Sequence, residues 1–201
     1  MKYFFILTLT FIFSTSLFSY EQADLDKLLK TKDCQECDLS GVNLSNKDLS
    51  NANLSGSNLS NANLENAIFV KSNMWGVDLT NANLLNTNAR AANLTGADII
   101  GIKCDNTTFK GTNFANATFE NVSCINLSIW SANFLETTFE NTSFENAGGA
   151  YASFRDVDLS ELNIKGAIFW NAKFTDAIVK KEDCKHLKNE EAILKNVECK
   201  D

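Results

Sequence analysis

One beat runs through the chain. From Leu39 an apolar residue returns at every fifth position, through Leu44, Leu49, Leu54, Leu59, Leu64, Phe69, Met74, Leu79 and Leu84 to Phe169, Phe174 and Val179, without a slip. Ala89 and Gly149 are the thin steps. Two positions before most of these centres the residue is again small or apolar, as at Val42, Ala52, Ala62, Val77, Ala92, Val122, Ala152 and Ala172, with Lys47 a conspicuous exception. The remaining three positions of each unit are rich in Asn, Ser, Asp, Gly and Thr, residues that adopt turn conformations and bond their own backbone locally. A helix wants apolar residues at intervals of three and four, and a strand alternates at two, so neither explains the pattern. A five-residue unit with two inward positions predicts a chain that turns a corner roughly every unit. Such a unit buries its apolar face only by stacking on its neighbours.

The segments Ala52-Asn53-Leu54-Ser55-Gly56, Ala62-Asn63-Leu64-Glu65-Asn66, Ala82-Asn83-Leu84-Leu85-Asn86 and Ala92-Asn93-Leu94-Thr95-Gly96 resemble the A-(N/D)-L-x-x unit of the pentapeptide repeat family. The resemblance covers residues 37–181 and implies an all-β fold, a right-handed quadrilateral β-helix with four units to a coil, while saying almost nothing about activity. With four units to a coil, residues twenty apart stack. Gly56, Gly76 and Gly96 then share one column, Asn53, Asn73, Asn93, Asn113 and Asn133 another, Asn46, Asn66, Asn86, Asn106, Asn126 and Asn146 a third, and Phe114, Phe134, Phe154 and Phe174 an inner one. Like side chains one strand spacing apart form amide ladders and ring stacks. The repeats give about seven coils and, at about 4.8 Å per coil, a rod on the order of 35 Å long.

The ends read differently. Residues 1–19 carry Lys2, an apolar run from Tyr3 to Phe13 and then small residues, the regions of a secretory signal, with cleavage after Ser16 or Ser19 and an uncleaved membrane anchor as the alternative. Residues 20–36 hold Leu25, Leu28 and Leu29 at helical spacing among charges, and residues 182–201 hold Leu187, Ile193, Leu194 and Val197 in a second charged segment. Both are read as short helical caps, since a solenoid's two ends expose apolar surface and unpaired strand edges.

Composition removes some functions and sharpens others. The 201 residues carry a net charge of -7, one histidine, six cysteines and no proline. Proline's absence suits a continuous backbone ladder. No basic run exists to grip phosphates, so nucleic acid is not an expected partner. His186 lies in the charged C-terminal segment, so the rod lacks the usual base for a Ser or Cys nucleophile, and no enzyme activity or cofactor is expected. The column Glu136, Asp156, Asp176 reads as a solvated acidic stripe, with a weak divalent-cation site as the alternative. The Asn-x-Ser/Thr triplets follow from the repeat's own composition and carry no weight as glycosylation signals. Outside the cytoplasm thiols tend to pair. Cys104 and Cys124, twenty apart, fit either an inter-coil disulfide or two buried apolar fillers. Cys34 and Cys37 have redox spacing but no thioredoxin context, and read as a staple at the entrance to the first coil. Cys184 and Cys199 read as a clip on the terminal segment.

Among outward positions, steps of twenty from Ser50 meet Val70, Arg90, Lys110, Trp130, Ala150 and Trp170, with Tyr151 one place on and Ile68 and Ile168 beside them. Exposed Trp, Tyr and Arg are enriched where partners bind. Arg90, Lys110, Trp130, Tyr151 and Trp170 are therefore the candidate partner-binding face, pictured as a dent flanked by aromatics near Ala89 and the run Gly148-Gly149-Ala150-Tyr151. The plainer alternative is that the indoles only cover thin places in the wall. The expected function is an exported, periplasmic or secreted, non-enzymatic scaffold whose partner is a protein or a cell-envelope component, with a homodimer left open. The family also contains DNA-mimicking proteins that bind type II topoisomerases and protect against quinolones. That alternative needs a cytoplasmic, strongly acidic rod, whereas residues 39–181 here hold 13 acids against 10 basic residues, a net of -3.

Overall fold

The computed structural model describes residues 20–200; the proposed signal segment lies outside them. The five-residue unit folds as one tight turn. After each inward centre, the residue two places on takes left-handed backbone, as at Asn46 (φ 61°), Gly56 (φ 66°) and Asn66 (φ 57°). The next unit's first N–H then donates back to the centre's carbonyl, as from Val42 to Leu39 (3.1 Å) and from Ala62 to Leu59 (3.1 Å). Asn and Gly tolerate this conformation at little steric cost, which is why they fill the position in most units.

The short extended piece between turns pairs with the coil above and below. Leu44 donates to the Asn63 carbonyl (2.8 Å) and Asn63 in turn to that of Val42 (2.8 Å). One side of the rod runs in parallel register from Asp33 through Asn53, Asn73, Asn93, Asn113, Asn133, Ser153 and Lys173 to Ile193, always twenty residues apart. The result is a four-sided β-solenoid. Outside, the expected amide ladder forms: Asn73 Nδ2 donates to Asn53 Oδ1 (3.0 Å), Asn93 to Asn73 (3.1 Å) and Asn126 to Asn106 (3.0 Å).

Inside, the centres make four columns. Phe114, Phe134, Phe154 and Phe174 stack at centroid distances of 5.1, 4.8 and 4.9 Å with interplanar angles of 11°, 3° and 8°. Neighbouring columns meet them edge-on, as Phe109 meets Phe114 (5.0 Å, 80°) and Phe169 meets Phe154 (5.6 Å, 86°). A second set of inward positions carries hydroxyls that the apolar pattern does not reveal. Thr87, Thr107, Thr112 and Thr137 are buried and donate to carbonyls 23 residues earlier, those of Leu64, Leu84, Ala89 and Phe114, at 2.6–2.8 Å. Threonine thus substitutes for alanine without leaving an unpaired hydroxyl in the core.

The wall has no dent. Ala89 is 2% exposed and sits in the column between Phe69 and Phe109. At Gly149 the ring of Phe169 from the next coil takes the missing side chain's place: a Cβ there would stand 2.6 Å from Phe169 Cδ1 and 3.5 Å from Ile129 Cδ1. Small and large residues alternate so that rings interdigitate between coils. Gly149→Ala is accordingly expected to lower stability by about 1–3 kcal/mol through overpacking. Urea denaturation measures this, and an unchanged midpoint would show that the Phe169 ring moves freely.

The N-terminal cap is as expected. Helix α1 (Gln22–Thr31) buries Leu28 against the first coil and ends at Lys32, whose left-handed backbone (φ 56°) returns its N–H to the Leu28 carbonyl (2.8 Å). The C-terminal cap departs from the expectation of a helix throughout. Helix α2 (Lys181–Asn189) occupies the length of two units, after which the repeat resumes: Ile193–Lys195 pairs with Lys173–Thr175, and Glu198–Lys200 with Ile178–Lys180. The helix preserves the register, so Leu194 stacks on Phe174 and Cys199 on Val179.

All six cysteines are paired, as Cys34–Cys37, Cys104–Cys124 and Cys184–Cys199. The first sits beneath α1, the second joins neighbouring coils inside the core, and the third ties α2 to the last strand.

Candidate functional site

The five residues singled out in sequence share one corner of the rod. Because each step of twenty returns to the same corner, Arg90, Lys110, Trp130, Ala150 and Trp170 occupy equivalent positions on successive coils, and Tyr151 sits in the adjoining place. The three aromatic rings touch. Trp130 and Tyr151 meet edge-to-face at 5.6 Å (69°), and Tyr151 and Trp170 at 5.1 Å (82°). They form a continuous ridge along the axis, yet the residues remain 48%, 43% and 44% exposed. Ile168, 56% exposed, stands on the adjoining wall. Towards the N-terminal end the ridge opens into a shallow depression lined by Arg90, Ala91, Lys110, Gly111, Trp130 and Ser131.

The backbone under the ridge is out of keeping with the rest of the rod. Outside Gly, Asn and Asp, left-handed backbone occurs among the described residues at Lys32, Glu36, Lys71, Ala91, Ser131, Glu136, Tyr151 and Glu191. Five of these eight, Lys71, Ala91, Ser131, Tyr151 and Glu191, lie at this one corner. Left-handed backbone is costly for a bulky side chain, and Tyr151 (φ 61°) is the bulkiest. Strained positions of this kind mark places where a side chain serves something other than the fold.

Sequence reasoning missed one member of the site. Glu191 lies two steps of twenty beyond Tyr151, and its Oε2 accepts the Trp170 indole N–H at 3.0 Å. The register gave a signal for it, but the charged segment around it reads as helix. Tyr151→Asn would replace the strained tyrosine with the residue most units carry. The relief, about 1 kcal/mol, nearly offsets the removal of two edge-to-face ring pairings, each worth about 0.5–1.5 kcal/mol. Its stability is therefore expected to stay within about 1 kcal/mol of wild type in urea denaturation. If the aromatics only plugged the wall, the loss would approach the several kcal/mol of a core truncation.

The sequence matches the family model described as pentapeptide repeats, 8 copies, over residues 33–69, 57–96, 92–128 and 152–181. The chain belongs to the pentapeptide repeat family. Among solved structures, this pentapeptide repeat protein is similar to HetL of the cyanobacterium Nostoc, which is involved in heterocyst differentiation regulation. The identity is 18%, with 90% of this chain and 93% of that one covered, at a TM-score of 0.47. It is also similar to QnrB1, a plasmid-mediated fluoroquinolone resistance protein (18% identity, 84% and 80% covered, TM-score 0.41), and to a pentapeptide repeat protein of the Arabidopsis thaliana thylakoid lumen (20% identity, 85% and 81% covered, TM-score 0.26). A comparison with curated proteins finds no match.

Elsewhere on this pentapeptide repeat protein the chemistry is sparse. The acidic column stands apart from the ridge, and within it Asp156 lies 3.4 Å from the Arg155 guanidinium. Asp183, in the first turn of α2, is the one carboxyl among the described residues held above its ordinary value; burial is the main cause, with Lys180 opposing it. His186, one turn on, donates from Nε2 to the Ala167 carbonyl at 2.8 Å. The histidine is thus engaged by backbone next to the raised carboxyl.

Proposed function

We propose that this pentapeptide repeat protein is an exported, non-enzymatic rod that presents the Trp130, Tyr151, Trp170 ridge to a binding partner, a protein or a component of the cell envelope. The observation that carries the reading is the ridge itself: three touching aromatic side chains left nearly half exposed, one of them on backbone that its residue type disfavours. Exposed Trp and Tyr beside Arg form the composition of interface hot spots. Export is supported by the pairing of all six cysteines, an arrangement favoured in oxidising compartments, and by the signal-like composition of residues 1–19.

Cell fractionation with N-terminal sequencing of the mature chain tests the location, and crosslinking from a photoreactive residue at Ser131 tests the face. The expected result is a chain outside the cytoplasm, beginning near residue 20, whose crosslinks are lost in Trp130→Ala plus Trp170→Ala. A cytosolic chain with Met1 intact that inhibits gyrase supercoiling would overturn the reading in favour of topoisomerase binding.

A further inference from the structure

We infer that the ridge binds an extended anionic glycan, a chain of carboxylate-bearing sugars laid along the rod axis; this rests on the binding role proposed for the same face. The first ground is charge. The protein is net negative, -7, yet the two outward positions of this corner carry only Lys71, Arg90 and Lys110 as charges from Ser50 to Trp170. The asparagine columns that border it, Asn86, Asn106 and Asn126 on one side and Asn93, Asn113 and Asn133 on the other, are neutral. A local cationic strip on an acidic rod selects an anion.

The second ground is the kind of surface beside those cations. Sugar rings present flat C–H faces, which pack on exposed aromatic rings, and equatorial hydroxyls, which need donors and acceptors at the edge of that platform. The ridge supplies both. Its aromatic side chains are exposed, and Thr108, Ser128 and Ser131 lie beside them on the same coils. The third ground is spacing. Coils rise about 4.8 Å, so Trp130 and Trp170 are about 10 Å apart along the axis, and Lys110 and Arg90 continue the series at the same step. A regular polymer with one ring per rung can therefore place rings on the aromatics and carboxylates on the cations.

Two other occupants are less well matched. An extended peptide adding a strand needs a free sheet edge, whereas the wall from Asp48 through Ile68, Asn88, Thr108, Ser128 and Gly148 to Ile168 is paired at every coil. Insertion into an anionic bilayer is opposed by the Glu191 carboxylate held on Trp170.

The test is a fluorescence titration of the full mature chain carrying Trp75→Phe, so that Trp130 and Trp170 report. The probes are polygalacturonate, its methyl ester of equal length, poly-L-glutamate and oligothymidylate. The expected result is saturable binding of polygalacturonate, at least tenfold weaker for the uncharged ester and weakened by salt. Tyr151→Asn and Lys110→Glu should each lower the affinity at least tenfold while the unfolding midpoint stays near wild type. No saturable change with polygalacturonate, equal binding of the ester, tighter binding of polyglutamate or oligothymidylate, or affinity untouched by Tyr151→Asn would each overturn the inference. The two readings fail separately. A protein crosslinked from Ser131 by a chain that ignores polygalacturonate removes the glycan alone, whereas a cytosolic location removes the exported scaffold and leaves the titration result standing.

Discussion

Phe134→Asp is expected to yield no cooperatively folded protein. Phe134 is fully buried, stacked on Phe114 at 5.1 Å and on Phe154 at 4.8 Å, with Phe119, Phe139 and Phe144 around it at 5.8–6.1 Å. Removing the ring alone costs about 3–5 kcal/mol. An aspartate there adds an unpaired charge or a proton taken up against its ordinary pKa, at a further cost of several kcal/mol. The sum is comparable to the whole stability of a domain, about 5–15 kcal/mol. A solenoid offers no compensation from elsewhere, because each coil contacts only its neighbours and the lesion cuts the column in two. Circular dichroism through a urea series reads the outcome. Phe134→Leu, which keeps an apolar filler, should retain a cooperative transition at a lower midpoint. An aspartate variant that unfolds at the wild-type midpoint would mean that position 134 does not face inward.

The same five-step register that places Phe134 made most of the architecture legible. It assigned the inner columns, the amide ladder and the corner shared by Arg90, Lys110, Trp130, Tyr151 and Trp170, because a solenoid converts sequence distance directly into spatial distance. What it left hidden depends on contacts between unlike positions. Threonine at an inward place reads as a polar intrusion until its hydroxyl is seen to meet a carbonyl 23 residues away. Gly149 reads as a gap because the residue that fills it, Phe169, belongs to another centre of the same column. Residues 190–200 read as the continuation of a helix because their apolar positions also fit helical spacing, and only pairing with 173–180 shows that the solenoid has resumed. Strain at Tyr151 is a backbone property, visible once the unit's left-handed position is known.

Replacing Cys104 and Cys124 together by alanine is expected to lower stability by about 3 kcal/mol, the most of the three cysteine pairs. The side of the rod that holds them is paired from Asn43 through Asn63 and Asn83 to Lys103, and again from Ser123 to Ser143. Between Lys103 and Ser123 no bridge forms among the described residues. The bonds that would belong there follow from their neighbours: Leu84 donates to the Lys103 carbonyl (2.7 Å) and Ser143 to that of Val122 (2.8 Å). At the seam their place is taken by the Ile125 N–H on Asp105 Oδ1 (2.8 Å) and the Asn106 N–H on the Ile125 carbonyl (2.8 Å), with the disulfide joining the coils beneath. A crosslink that closes a 20-residue separation restricts the unfolded chain far more than Cys34–Cys37, separated by 3. Cys184–Cys199, separated by 15, closes a comparable loop, but it ties only the last coil, where fraying leaves the remaining rod intact. Urea denaturation of the three double-alanine variants, with and without reductant, ranks the pairs. The 104/124 variant should show the largest drop in midpoint and the smallest further response to reductant. Should Cys34→Ala plus Cys37→Ala prove the more damaging, the seam would hold without its crosslink, and the N-terminal cap would be the weaker joint of the rod.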